Sequence, residues 1–407
     1  MRTHRDMLPE YQVNDSPCNH VPAEAGAQRA LWEAMAFATP QHSRNQVDKA
    51  GMLLADWWTA NDLWKYKVED TERAFEIVNN WRASHNFPLN NFQVNLRAKV
   101  KRIQPDVLVA QRIKRLESIV AKLLRDQTRT MQLSQMQDIG GCRAILKSVA
   151  NVHKLVDSYK RSTFAHKLRG EKNYIADPKL DGYRGYHLIY QYQGLPNQKK
   201  DYDNLRIEIQ IRTQLQHAWA TAVEAVGLFT RQALKSNQGS QEWLRLFMLM
   251  SSVIADIEKT EPIPNAPASL FLVKAEIADI AKRIYAVPTL EAHRATLNWA
   301  GTRRKELANK YLLVRFDHAA NKVNVNDFPP FASQAANAAY TEAEKNKKDG
   351  DSIVLVKVDS IRSLTRAYPN FFLDTQTFAD LLKQVLRDQQ LSKVVNPLSS
   401  ASAARSS

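Results

Sequence analysis

Along residues 206–213 apolar and polar side chains alternate. Ile207, Ile209 and Ile211 fall on one side of an extended chain, and Glu208, Gln210 and Arg212 on the other. That period predicts a half-buried strand. Thr213 ends it and, with Gln216 three residues on, predicts a capping box opening a helix that runs to about Val226. The runs CRAIL (142–146) and HLIYQY (187–192) predict two further strands. Residues 109–126 follow another period. Ile113, Leu116, Val120, Leu123 and Leu124 form a stripe that predicts one amphipathic helix from Val109 to Asp126.

The same reading divides the rest of the chain. Helical spacing runs from Ala27 to about Ser84, and Pro88 to Pro105 reads as mixed and turn-rich. A break at KSNQG (235–239) precedes a helix from about Gln241 to Lys259. The linker EPIPNAP (261–267) leads into further helix to about Asn309. Strands YLLVRF (311–316) and IVLVKV (353–358) flank a helix around Ala335 to Lys347, and Asp374 is the expected N-cap of the last helix. The expected organisation is a disordered N-terminus (1–28), a helical N-terminal region (29–90), a central α+β body (91–235), a helical segment (240–300), a small C-terminal α/β domain (305–392) and a disordered tail (393–407).

Composition narrows the class. A chain of 407 residues, 44% hydrophobic and 24% charged, is an ordinary globular protein of two or three domains. Its two cysteines, Cys18 and Cys142, lie far apart, which argues against a disulfide framework or a Cys-x-x-Cys zinc site. Residues 1–20 lack the apolar core of a secretion signal. The longest apolar run, Trp243 to Ile257, is interrupted by Arg245 and is too short to span a bilayer. The cytoplasm is the expected location, with no membrane partner. The formal net charge of +15 suits polyanionic partners: nucleotides, tRNA or ribosomal RNA.

Candidate chemistry lies between Arg112 and Arg212. On the expected helix, Lys114, Ser118 and Lys122 stand four apart beside Arg112, a cationic row that can cradle triphosphate oxygens or simply be a solvated face. Asp138 enters a strand ahead of Gly140 and Gly141, which permit close approach. The loop from Lys172 to His187 combines Lys179, Tyr183 and glycines, and Tyr183 can stack on a base or be packed as an ordinary loop tyrosine. Glu208 projects from a strand whose other face is apolar. A carboxylate there needs a partner, either a divalent cation shared with Asp138 or an ion pair with a lysine or arginine.

Taken in order, four segments resemble the RelA/SpoT synthetase family. They are Arg-x-Lys with a further Lys eight residues on (112, 114, 122), Asp-Ile-x-Gly-x-Arg (138–143), Tyr-Ile-x-x-Pro-Lys-x-x-Gly-Tyr-Arg-x-x-His (174–187) and Glu-Ile-Gln-Ile-Arg-Thr (208–213). The resemblance covers roughly residues 75–235. It implies a nucleotidyltransferase-like mixed sheet flanked by helices over 91–235, and an ATP-dependent pyrophosphokinase. It implies that Arg112, Lys114, Lys122 and Arg143 bind ATP, and Ser118, which shares the spacing of the lysines, is placed with them. It implies that Tyr183, His187, Lys172, Lys179, Gln210 and Arg212 bind the acceptor. Asp138 and Glu208 would hold Mg²⁺, with Glu208 the candidate base. The implied reaction moves pyrophosphate from ATP to the ribose 3′-hydroxyl of GDP or GTP, or to the 3′-end of tRNA as toxic members of the family do. A non-catalytic nucleotide- or RNA-binding regulator is the alternative of another class.

Departures from the family pattern fall at Asn173, where many members have Asp, and at Gly185-Tyr186, where Ser is common. No His-Asp dipeptide occurs, so the family's hydrolase domain is expected to be absent. No Gly-Lys dipeptide occurs, which excludes a P-loop. The C-terminal domain resembles no module clearly, and two readings stand open: a regulatory or antitoxin-like module with a corresponding protein partner, or an extension that completes the fold.

Overall fold

The structure is a computed structural model of the chain. It describes residues 37–395 except 61, 126–129, 195–199, 234–239, 303–305, 308–309, 318–321, 347–351 and 358–370. The expected disordered N-terminus, the break at 235–239 and the tail beyond 395 lie outside the described residues.

Three helices come first: α1 (Arg44–Thr59), α2 (Val68–Ser84) and α3 (Asn86–Lys101). Ser43 and Gln46 form a reciprocal capping box at the start of α1. Then follow β1 (Leu108–Ile113), α4 (Leu116–Arg125), β2 (Gly140–Leu146), α5 (Val149–Lys160), β3 (Lys167–Asn173), β4 (Tyr186–Gln191), β5 (Arg206–Thr213) and α6 (Gln214–Ala233). The five strands form one sheet in the order β1-β2-β5-β4-β3, parallel between β2 and β5 and antiparallel elsewhere. The fold class is α+β, a mixed sheet flanked by helices.

The two faces of this sheet differ, as the alternation in β5 requires. Ile207, Ile209 and Ile211 are buried with Cys142, Ala144, Leu188 and Tyr190 in a core shared with α1 to α5. The opposite face is polar. Ala110, Arg143, Gln210, His187 and Lys172 are successive register partners across all five strands. The neighbouring row holds Arg112, Gly141 and Glu208. Paired residues share a face, so the candidate side chains of all five strands lie on one side of the sheet.

A second core lies beyond β5. Ala218, Trp219, Ala222 and Val226 of α6 pack with α7 (Ser240–Glu258), α8 (Leu270–Arg283), α9 (Ala286–Thr302) and α11 (Phe371–Val395). A three-stranded antiparallel sheet, β7-β6-β8, comprises β6 (Tyr311–Asp317), β7 (Lys322–Phe328) and β8 (Ser352–Lys357). It packs on α10 (Ser333–Lys345) through Leu313, Ile353, Leu355, Ala336 and Ala343.

Four expectations need correction. Residues 109–126 are not one helix: 108–113 form β1, paired residue by residue with β2, and α4 begins only at Leu116. Apolar spacing cannot outweigh a strand partner elsewhere in the chain. Residues 88–105 are largely helical, because Pro88 falls in the first turn of α3, where its missing N–H costs nothing. Leu89, Phe92, Leu96 and Val100 then give α3 a buried stripe. Asp374 lies inside α11, which starts at Phe371. Acids favour the whole first turn through the helix dipole and so do not mark the cap alone. Strand β7 lies in a stretch where the sequence pattern predicts no strand.

Candidate functional site

Two lysines from different elements meet on one carboxylate. Lys114 follows β1, where its N–H donates to the Ile139 carbonyl at 2.7 Å. Lys122 comes from the middle of α4. Their Nζ atoms lie 2.7 and 2.8 Å from the Asp138 oxygens. Burial alone would raise the Asp138 pKa, but the two ammonium groups bring it down to about 2. The two lysines of the expected row therefore meet in space, although they come from the end of a strand and from a helix and not from one helix. Arg112, on β1, lines the same pocket with Gln111, Asp138, Gly141, Arg143 and Glu208. Gly141 opens onto it: a Cβ there would meet only the Glu208 carbonyl, at 3.5 Å. Ser118 sits half-buried in the first turn of α4 and does not line this pocket.

Beside this centre, five side chains close a ring of hydrogen bonds. Gln210 Nε2 donates to Glu208 Oε2 at 2.7 Å, and Glu208 Oε1 lies 2.8 Å from His187 Nδ1. His187 Nε2 lies 2.5 Å from the Tyr183 hydroxyl. Arg212 donates to that hydroxyl at 2.7 Å and to Gln210 Oε1 at 3.3 Å. Arg143 adds two bonds of 3.3 Å to Gln210 Oε1. Burial holds the His187 pKa below its ordinary value, so the imidazole is neutral at pH 7. We assign its proton to Nδ1, donating to Glu208, which leaves Nε2 to accept from Tyr183. Burial would raise Glu208, but the bonds from His187 and Gln210 bring it down to about 2.

The loop between β3 and β4 supplies the aromatic wall. Tyr183 is half-buried against the second core. Lys179 Nζ lies 5.1 Å from its ring centroid and 4.7 Å from that of Tyr174, and the two tyrosine rings meet edge-on at 5.7 Å. Arg212 also lies over the Tyr183 ring, at 4.8 Å. Gly182 adopts φ +92°, and a Cβ there would fall 3.1–3.2 Å from Ser251, Trp219 and Met248, so the loop needs glycine at this point. Asn173 accepts from the N–H groups of Ile175 and Ala176 at 3.2 Å. A carboxylate can make the same turn, so this departure from the family pattern leaves the backbone path unchanged. Lys172 is exposed on edge strand β3, opposite His187 in register.

The chemistry-bearing residues singled out in the sequence thus fall in and around one cleft, apart from Ser118. Tyr174, in contact with Tyr183, His187 and Lys179, receives no role from the sequence pattern, although it opens the third motif.

A family model described as a region found in RelA / SpoT proteins matches residues 111–232. Residues 111–232 are thus similar to that region. Among curated proteins, GTP pyrophosphokinase YjbM of Bacillus subtilis (strain 168) is 28% identical over 168 residues, covering 39% of this chain and 76% of the relative. GTP pyrophosphokinase YwaC of the same organism is 26% identical over 182 residues, covering 44% and 78%. Among solved structures, the small alarmone synthetase 2 from Bacillus subtilis matches at 22% identity and a TM-score of 0.37, over 44% of this chain and 94% of that one. The RelA/SpoT region spans the end of β1 through α6, and so contains nearly the whole polar face of the sheet.

Among the described residues no group of three or more His, Cys, Asp or Glu could hold a metal. Asp138 and Glu208 nevertheless line one pocket, and both are ionised at neutral pH. Two carboxylates in one pocket beside cations suit Mg²⁺, a hard ion that takes oxygen ligands and keeps several waters. Among the described residues no helix is long and apolar enough to cross a membrane.

Proposed function

We infer that this chain is an ATP-dependent pyrophosphokinase that moves the β,γ-pyrophosphate of ATP to the ribose 3′-hydroxyl of GDP or GTP, releasing AMP. The observation that carries this reading is the juxtaposition of Asp138, under Lys114 and Lys122, with Glu208, inside its ring of donors, in one pocket of a RelA/SpoT region. Relatives named GTP pyrophosphokinases support the acceptor.

The division of labour follows from the positions. Arg112, Lys114 and Lys122 neutralise phosphate charge, which is most of what phosphoryl-type transfer asks of a protein. Asp138 and Glu208 would hold Mg²⁺, which when bound offsets charge on the transferring oxygens. Glu208 is the candidate base for the 3′-hydroxyl: it is ionised, half-buried and fixed on two sides by His187 and Gln210. Tyr183, with Tyr174 and Lys179 beside it, is the platform for the acceptor base.

The test incubates the purified chain with ATP labelled on its γ-phosphate and offers GDP, GTP and bulk tRNA in separate tubes. Label entering GDP or GTP is the expected result. Label entering tRNA alone would replace the acceptor and keep the chemistry. Label entering none, with folded protein, would overturn the enzymatic reading in favour of a nucleotide- or RNA-binding regulator.

A further inference from the structure

The RelA/SpoT region ends in α6, at residue 232. Part of the face that holds the loop before β4 is built from residues beyond that point. Arg184, next to Tyr183, is 2% exposed. Its Nε donates to Ser251 Oγ at 2.8 Å, its Nη2 to the Glu261 carbonyl at 2.6 Å and its Nη1 to Thr260 Oγ1 at 3.4 Å. Nη1 also reaches back to the Ile175 carbonyl at 3.4 Å, across the loop it belongs to. At the end of β5, Thr213, next to Arg212, donates its hydroxyl to Glu258. Gln216, which shares a capping box with Thr213, donates to the second Glu258 oxygen at 2.8 Å.

These two sets of bonds have a common address. Ser251 and Glu258 lie on α7, two turns apart, and Thr260 and Glu261 follow just after its end. Tyr183 and Arg212 are bonded to each other through the tyrosine hydroxyl. Their immediate chain neighbours, Arg184 and Thr213, are both pinned to the last two turns of α7 and the residues after it. A planar guanidinium that satisfies four oxygens in a buried site fixes backbone position far better than an apolar side chain would. Breaking one of these buried bonds leaves a polar group without its partner.

We propose that the segment 251–261, outside the RelA/SpoT region, is a bracket that positions the Tyr183–Arg212 pair, with Arg184 and Glu258 as its positioning residues. The bracket grips the acceptor side of the cleft and none of the residues placed on the ATP side: Arg112, Lys114, Lys122 and Asp138 have no bond to α7 among those above. The bracket rests on the functional reading only for the word acceptor; the geometry stands without it.

The experiment compares wild type with Ser251→Ala, Glu258→Gln and Arg184→Lys in the full chain, by two measurements. The first is hydrogen exchange over residues 174–187, with β2 as internal reference. The second is KM for GDP and for ATP. Expected are faster exchange in 174–187 with β2 unchanged, and a rise in KM for GDP of about 2- to 12-fold, the loss set by one hydrogen bond, with KM for ATP unchanged. Unchanged exchange in the loop in all three variants overturns the proposal, as does an equal rise in both KM values. Ser251→Ala removes a single oxygen, so the test survives should Arg184→Lys fail to fold. The exchange measurement needs no turnover, so a wild type that transfers nothing would sink the functional reading while the bracket is still judged by exchange.

Discussion

His187 Nδ1 stands 2.8 Å from Glu208 Oε1, and burial keeps the imidazole neutral beside the ionised carboxylate. Protonating His187 would turn Nε2 from acceptor to donor, reverse its bond with the Tyr183 hydroxyl and set a second cation beside Arg212. Because the pKa of His187 is depressed below 6.5, transfer should hold its rate as pH falls to that value and decline only below it. The stabilisation linked to this group is complete above pH 6.5 and is lost as pH falls through the depressed folded value. A pH–rate profile of wild type against His187→Asn checks this: the acid limb should move or vanish in the variant.

The two carboxylates behave alike in sign. Glu208 falls from 4.5 and Asp138 from 3.8, each to about 2. Their contribution to stability is present above those ordinary values and is lost as pH drops towards 2. Glu208→Gln and Asp138→Asn should therefore flatten the stability loss in that window, read by urea denaturation at stepped pH.

The same two substitutions should remove turnover with little change of volume. For Glu208→Gln the expected loss of AMP release is about 10²- to 10⁴-fold, the span of general-base catalysis. Circular dichroism should remain that of the wild type. Near-wild-type turnover in either variant would remove that residue from the chemistry.

Tyr183→Ala should weaken acceptor binding more than ATP binding. Loss of a stacking platform costs about 1–3 kcal/mol. Tyr183→Phe keeps the ring and deletes the hydroxyl that joins His187 to Arg212, so it should spare acceptor KM and lower kcat. Titration of both substrates separates the two roles; equal effects on ATP and acceptor from Tyr183→Ala would make the residue a packing element.

Phe378 is 1% exposed and its ring lies 5.4 Å from that of Phe247, in the core that α6 shares with α7, α8, α9 and α11. Phe378→Ala should cost about 3–5 kcal/mol of stability, measured by denaturant unfolding. It lies on α11, far along the chain from the RelA/SpoT region, so a small loss would mean that α11 adds little to that core.

Much of this site is legible in local sequence. The alternation in β5 places Glu208, Gln210 and Arg212 on one face, because a period of two leaves no other choice once Ile207, Ile209 and Ile211 are buried. The Thr213–Gln216 cap is equally local, and both of its bonds form. What escapes the sequence is non-local. Nothing between Leu108 and Ile113 announces that β2 will pair with it, so the apolar stripe there reads as the start of a helix and carries its cations with it. Ser251 and Glu258 lie in a helix whose sequence reads only as apolar and buried. Their partners, Arg184, Thr213 and Gln216, are 42 to 67 residues away. The closed ring through His187 and Tyr183 likewise needs the register of β4 on β5, which no single segment encodes.

Strand β5 ends at Thr213 and α6 begins at Gln214, with no residue between them. A joint of that kind has no slack. Any tilt of α6 about its first turn must be taken up by the backbone of Thr213 and Arg212, because no loop is there to absorb it. The helix therefore works as a lever whose short arm is the guanidinium over Tyr183, and whose long arm lies among the helices of the second core.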